Sequence, residues 1–346
     1  MWNGKRKNRV KKSGLNYRTG SDIIKTQNIF ITRQVKKMIT GLLNEFIIQG
    51  DRGAVVPFSR IENLKKDMMD LQNGEFHTEW LNRMANHITD EANKFIPSDF
   101  SVKPCSLITV LIPSPKVILK FNYNGKLIPV EVPTHYTNWD KNNDRVLKYI
   151  IDYLKPHGYT AAKAVTLSHK LLAVHSGLAL YGRNNICYND DYGSYMQIMS
   201  YISDLPCNES PWFPIRRMES CENCRVCVTS CPTGAIDFNR QLINSDRCIT
   251  LVNELPDEFP IWIKKNAHNS IIGCSICQDC CPVNAINKNN IKLGATFTEE
   301  ETAELLNHKG NEPYSESLSV KIEMAGILQE YTNPNVLPRN LAMLIL

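Results

Sequence analysis

The chain has 346 residues, 42% of them hydrophobic and 22% charged, with twelve cysteines and a formal net charge of +5. That length and apolar content support two or three packed units and exclude a disordered or fibrous chain. No run of eighteen apolar residues occurs, so no membrane span is expected, and the basic residues 1–14 lack the apolar stretch of a secretory signal.

Residues 21–49 carry apolar side chains at helical spacing (Ile23, Ile24, Ile31, Val35, Met38, Leu42, Leu43, Phe46) and stop at Gly50, which predicts a helix. Residues 53–58 form an apolar segment with a proline, an edge strand or a loop. Residues 59–95 return to a helical pattern, broken near Asn73-Gly74. Ser106–Pro113 is β-rich, and the runs 117–123 and 126–132 flank Asn124-Gly125, a strong signal for a hairpin. A polar loop over 133–143 precedes an expected helix at about 144–155, and the alanine-rich stretch 161–176 predicts another, stopped by Gly177. Residues 186–188 and 194–202 read as strands around a turn at 190–193. Residues 298–307 predict a short acidic helix, 315–330 a further one, and the apolar end 337–346 is expected to dock on the body.

The most specific stretch is 221–282. It opens Cys221-x-x-Cys224-x-x-Cys227-x-x-x-Cys231-Pro232, passes Cys248, and closes Cys274-x-x-Cys277-x-x-Cys280-Cys281-Pro282. The first run is the bacterial ferredoxin spacing, in which three thiolates reach one cluster and the fourth turns away to a second. Two 4Fe–4S clusters need eight thiolates. Cys221, Cys224, Cys227 and Cys281 form one expected set; Cys231, Cys248, Cys274 and Cys277 form the other. Cys280 is an alternative to Cys281, which the following proline favours. A zinc ribbon or a disulfide framework is the competing reading, and the second group of cysteines argues against it. Thr233–Ile236 and 283–286 read as repeated strand-like exits. Cys105, Cys187 and Cys207 are expected to be small buried hydrophobes. Concentrated thiols point to a reducing, cytoplasmic setting.

With the Gly177-Leu178, Gly182-Arg183 and Gly193-Ser194 pairs, the Asp246-Arg247-Cys248-Ile249 context and the terminal Arg339-Asn340-Leu341-Ala342 stretch, the chain resembles the epoxyqueuosine reductases and, more distantly, the reductive dehalogenases. The resemblance implies an α+β chain: a nitroreductase-like α/β cobalamin domain, a two-cluster ferredoxin-like domain and a short helical tail. The expected division is an N-terminal helical segment 1–100, a cobalamin and substrate domain 101–210, a double-cluster domain 211–295 and a tail 296–346. It further implies a base-off cobalamin beside one cluster, held around Gly177, Tyr181, Gly182, Arg183 and Asn184, and a ferredoxin or flavodoxin as electron donor. Arg183 and Asn184 otherwise read as loop surface.

The chain departs from the epoxyqueuosine reductase pattern. The family's aspartate falls at Lys163, its Gly-Leu-Gly-Trp becomes Gly177-Leu178-Ala179-Leu180, and about fifty residues stand where the family carries a longer helical extension. These departures favour a small reducible substrate over tRNA. By resemblance to the dehalogenases, Tyr136 beside Lys163 is the candidate proton-delivering pair; the competing reading makes Tyr136 a loop anchor and Lys163 a solvated helix residue. His169 and His175, six apart, do not share a helix face and make a poor metal pair.

Overall fold

Strand pairing organises the chain around two sheets that the cysteine-rich segment joins. The computed structural model describes residues 20–74, 78–79, 96–240, 242–310, 312–327 and 333–346, with the backbone alone for 20–32. In chain order the elements are α1 (Gly20–Ile48), β1 (Arg52–Pro57), α2 (Ile61–Gln72), β2 (Ser106–Pro113), β3 (Lys116–Tyr123), β4 (Lys126–Val132), α3 (Trp139–Leu154), β5 (Ala161–Lys163) and α4 (His169–His175). There follow β6 (Leu180–Tyr181), β7 (Cys187–Tyr188), β8 (Met196–Ser203), α5 (Val226–Ser230), α6 (Ile249–Glu254) and α7 (Ile276–Asp279). The last are β9 (Ile291–Phe297), α8 (Glu299–Asn307), α9 (Glu316–Ala325) and α10 (Val336–Ile345). The described residues from Leu42 onward form one compact unit. The fold is mixed α+β.

The larger sheet runs β1-β2-β8-β5, antiparallel throughout. Its central strand β2 is apolar and buried along nearly its whole length, so both faces are covered. On one face Leu107 and Ile202 pack with Ile61, Leu64 and Met68 of α2 and Leu171 and Leu172 of α4. Toward the other, the Tyr201 hydroxyl donates to the Asn143 carbonyl of α3 at 3.3 Å. Pro57 ends β1 at the sheet edge, where a missing N–H costs no ladder bond.

The smaller sheet is β4-β3-β9. Asn124 (φ 50°) and Gly125 (φ 70°) turn the β3–β4 hairpin with both central residues left-handed, as the Asn-Gly pair demands. β9, beyond the last cysteine, returns to lie parallel to β3, and Phe297 stacks on Phe121 at 4.4 Å. Leu305, Leu318, Ile322, Leu337 and Leu341 of the three C-terminal helices cover this sheet. The apolar end is thus part of the core. A capping box, with Thr298 and Glu301 each bonding the other's backbone N–H, starts α8.

Several expectations need correction. The stretch 161–176 is not one helix: Ala161–Lys163 pairs with Tyr201–Ser203 as an edge strand, and only His169–His175 is helical. Alanine favours helix, but pairing to a strand forty residues away prevails. α3 begins at Trp139, five residues earlier than expected, after Asn138 turns left-handed (φ 53°) with its N–H bonded to the Gly326 carbonyl. The strand at 187–188 pairs with β6 rather than with β8. Neither exit after the cysteine motifs is a strand: 233–236 is irregular and 282–284 is a 3-10 turn. The second half of the 59–95 pattern lies outside the described residues.

Candidate iron–sulfur and proton-delivery site

Two short helices present the cysteine motifs. α5 follows Cys224 and carries Cys227, α7 carries Cys277, and these two helices pack together. No disulfide joins any of the twelve cysteines. Burial raises the Cys227 thiol to about 11, and Cys280, Cys221, Cys224 and Cys281 raise it further by their charge. Burial likewise brings Cys274 to about 11, with Cys248 and Cys231 adding to it. Cys277 is raised by burial and then by Cys274, Cys248, Cys227 and Cys231. Thiols that repel one another this way gather negative charge when ionised, and a cationic iron core compensates it. Cys231 lies in electrostatic reach of Cys248, Cys274 and Cys277, not only of its own motif. Among the described residues no three His, Cys, Asp or Glu side chains close on a single ion. Cys187 and Cys207 are buried and Cys105 half-buried, all three outside the motifs.

The loop between β6 and β7 holds the two motifs together. Arg183, 5% exposed, donates to the carbonyls of Cys221 (2.5 Å), Glu222 (3.1 Å) and Phe238 (2.7 Å), and its guanidinium lies over the Phe238 ring. Asn184, also buried, donates to the Cys277 carbonyl at 3.0 Å and to the Tyr188 hydroxyl at 2.9 Å. Burial raises the pKa of the Tyr188 hydroxyl, and the neighbouring Cys281 raises it further. Gly182 allows this approach, because a Cβ there would stand 2.5 Å from the Tyr188 ring and 2.6 Å from Asn184 Oδ1. Tyr181 is bonded through its backbone to Arg216 and Met218, and Gly177 lies against the Phe213 ring. Arg183 and Asn184 are therefore not loop surface.

Tyr136 is buried beside the second motif. Its ring packs so closely on Gly273, the residue before Cys274, that a Cβ there would lie 2.3 Å away. Its hydroxyl donates to the Glu254 carboxylate at the end of α6. Burial raises the Glu254 pKa, and the tyrosine bond offsets part of the rise. Lys163 instead pairs with Asp144 at 2.6 Å, on the edge strand of the larger sheet. The two candidates are thus committed to different partners. Next to Tyr136, the exposed His135 stacks edge-on to Trp139 at 4.7 Å, and Trp139 faces His169 at 6.3 Å. Burial lowers both imidazoles to about 4, helped by the Lys170 charge at His135 and by His135 at His169. His175, by contrast, is fixed in the core between Asp67 and the Phe213 carbonyl.

Sequence reasoning missed Glu254, Glu131 and Lys116. Glu254 ends a helix that begins directly after Cys248, a placement visible in the sequence; the other two lie on the β3–β4 hairpin, far upstream in sequence, where no local signal marks them.

Residues 220–284 match the 4Fe-4S double cluster binding domain family. An epoxyqueuosine reductase of Bacillus subtilis is 31% identical over 126 residues, 34% of this chain and 31% of that protein. One from Leadbetterella byssophila is 30% identical over 190 residues, 49% of this chain and 57% of that protein. The chain thus spans less than two thirds of these relatives. A solved epoxyqueuosine reductase from Bacillus subtilis superposes with a TM-score of 0.61 at 17% identity, covering 90% of this chain and 82% of that one. Another, solved with an epoxyqueuosine-modified tRNA stem loop, gives 0.56 at 17% identity over 92% and 81%. The chain carries a double-cluster domain and resembles the epoxyqueuosine reductases in sequence and fold.

Proposed function

We propose that this chain is an iron–sulfur oxidoreductase of the epoxyqueuosine reductase kind, acting on an epoxide-bearing nucleoside in tRNA. One observation supports the reading: Cys231 lies in electrostatic reach of Cys248, Cys274 and Cys277, while Cys227 lies in reach of Cys280, Cys221, Cys224 and Cys281. That crosswise division fits two 4Fe–4S clusters, one on Cys221, Cys224, Cys227 and Cys281, the other on Cys231, Cys248, Cys274 and Cys277. The names of the relatives support tRNA over the small molecule favoured by the sequence departures. The division at 101–210, 211–295 and 296–346, and the nitroreductase-like form of the first of these, belong to this proposal.

When bound, the clusters supply single electrons in succession, drawn from a ferredoxin or flavodoxin. Converting an epoxide to an alkene takes two electrons and two protons and releases water. Arg183 and Asn184 fix the two cysteine motifs in register. Tyr136 supplies a proton through its hydroxyl, and Glu254, its pKa raised by burial, is placed to relay the replacement. Lys163, ion-paired away from Tyr136, is not assigned this role.

Cobalamin is the other group the resemblance implies. The residues carried over to hold it do not fit a corrin, because their bonds are already committed. Arg183 and Asn184 bond the cysteine loops, Gly177 and Gly182 face Phe213 and Tyr188, and the Tyr181 backbone pairs with Arg216 and Met218. No step is derived through a corrin. Free thiols and low-potential clusters call for a reducing compartment such as the cytoplasm; no helix among the described residues is long and apolar enough to cross a membrane.

The test is complementation. In a host lacking its own epoxyqueuosine reductase, expression of this chain restores queuosine to bulk tRNA. Persistent epoxyqueuosine with the protein present and iron-loaded refutes the proposal.

A further inference from the structure

Lys116 is a buried cation with no counterpart in the chemistry described above. It is 6% exposed on β3, and its ammonium donates to Glu131 Oε2 at 2.9 Å and Asp279 Oδ1 at 2.7 Å. Asp279 lies between Cys277 and Cys280 in the second cysteine motif. Its carboxylate also accepts from the Tyr195 hydroxyl at 2.7 Å and the Ser275 hydroxyl at 2.9 Å. Ser275, between Cys274 and Cys277, reaches Glu131 as well. Asp279 of the motif thus bonds the ammonium directly, and Ser275 bonds both carboxylates that hold it. Burial pulls the lysine pKa down, but its bonds to Asp279 and Glu131 and their charges more than offset this, so the group stays cationic.

We infer that Lys116 is a positioning residue that holds the Cys274–Cys281 loop against the smaller sheet and keeps the reduction potential of the adjoining iron–sulfur site less negative than its thiolates alone would set. The inference rests on the cluster reading proposed above. An electron added to a cluster is stabilised by a nearby positive charge in a low-dielectric setting, and cluster potentials respond to net charge and hydrogen bonding. A loop anchor need not be a cation; a cation fixed by two carboxylates from different segments acts on the electrostatics of the loop as well as its shape. The Ile271 N–H before the loop bonds the Glu131 carbonyl, and β9 after it pairs with β3, so the same sheet holds the chain on both sides of the loop.

The experiment is an anaerobic redox titration followed by electron paramagnetic resonance, with iron content measured alongside. It compares the reconstituted full chain with Lys116→Met, Lys116→Arg and Asp279→Asn. Lys116→Met is expected to shift a midpoint to more negative potential with iron retained. Lys116→Arg should stay close to the parent, and Asp279→Asn should move in the positive direction. A Lys116→Met protein with full iron and parental midpoints overturns the inference. If that variant loses iron, Asp279→Asn decides: full iron with an unshifted midpoint overturns it too. A parent chain that takes up no iron instead refutes the cluster reading, which separates the two failures.

Discussion

Arg183 and Asn184 are adjacent in sequence and bond opposite cysteine motifs, Arg183 at the Cys221 carbonyl and Asn184 at the Cys277 carbonyl. A single dipeptide thereby sets the distance between the two halves of the metal-binding segment. Arg183→Met removes three charge-assisted bonds to carbonyls, that to Cys221 buried, and is expected to cost about 3 kcal/mol. Asn184→Ala leaves the Cys277 carbonyl and the Tyr188 hydroxyl short of a donor, costing about 1–3 kcal/mol. Chemical denaturation of the reconstituted protein, with iron content before and after, checks both.

The thiol grouping makes a prediction about stoichiometry. The parent should bind about eight irons, and Cys248→Ser about four, because the second site loses a ligand supplied by no motif. Cys281→Ser should lose the first cluster, whereas Cys280→Ser should keep both, since Cys281 is the one that precedes the proline of the ferredoxin pattern. Iron and acid-labile sulfide assays read this directly. Full occupancy in Cys248→Ser would contradict the ligand set.

Gly273 has φ +66°, and a Cβ there would meet the Tyr136 ring. Gly273→Ala combines backbone strain with overpacking, about 3 kcal/mol together. Gly310 has nearly the same φ, +67°, with open space around it, so Gly310→Ala should cost only about 1 kcal/mol. Thermal melts of the two variants separate packing from strain.

If Tyr136 delivers the proton, Tyr136→Phe lowers turnover by about 10²–10⁴-fold with iron content unchanged. Glu254→Gln should lower it less, because the tyrosine hydroxyl remains. Equal turnover in parent and Tyr136→Phe removes the residue from the reaction.

His135 and His169 set a pH dependence of stability. Their folded pKa values, about 4, lie below the ordinary value of 6.5. Between about 6.5 and about 4 the unfolded chain binds protons that the folded chain does not, so stability present above this window falls as pH drops through it. The melting temperature should therefore decline on acidification, and the slope should be shallower in a His135→Gln, His169→Gln double variant than in the parent.

Local chemistry decided what could be read ahead of the structure. Asn124-Gly125 specified its hairpin because the turn type needs those residues, and the cysteine spacing specified the metal segment because thiolate reach is short. Lys163 was misplaced onto a helix because Ala161–Lys163 takes its strand form from Tyr201–Ser203, a partner invisible to a local pattern. Lys116 and Glu131 were missed for the same reason: they reach Ser275 and Asp279 only after the hairpin and the cysteine loop have packed together. Arg183 and Asn184 were singled out by their glycine, but for a ligand; their actual partners are the carbonyls of the cysteine loops.

The most direct measurement incubates the reconstituted, chemically reduced protein with an epoxyqueuosine-bearing tRNA anticodon stem–loop under anaerobic conditions and identifies the released nucleoside by mass spectrometry. Loss of one oxygen atom, giving queuosine, is the expected result. Unchanged epoxyqueuosine from a protein that holds both clusters and accepts electrons would contradict it.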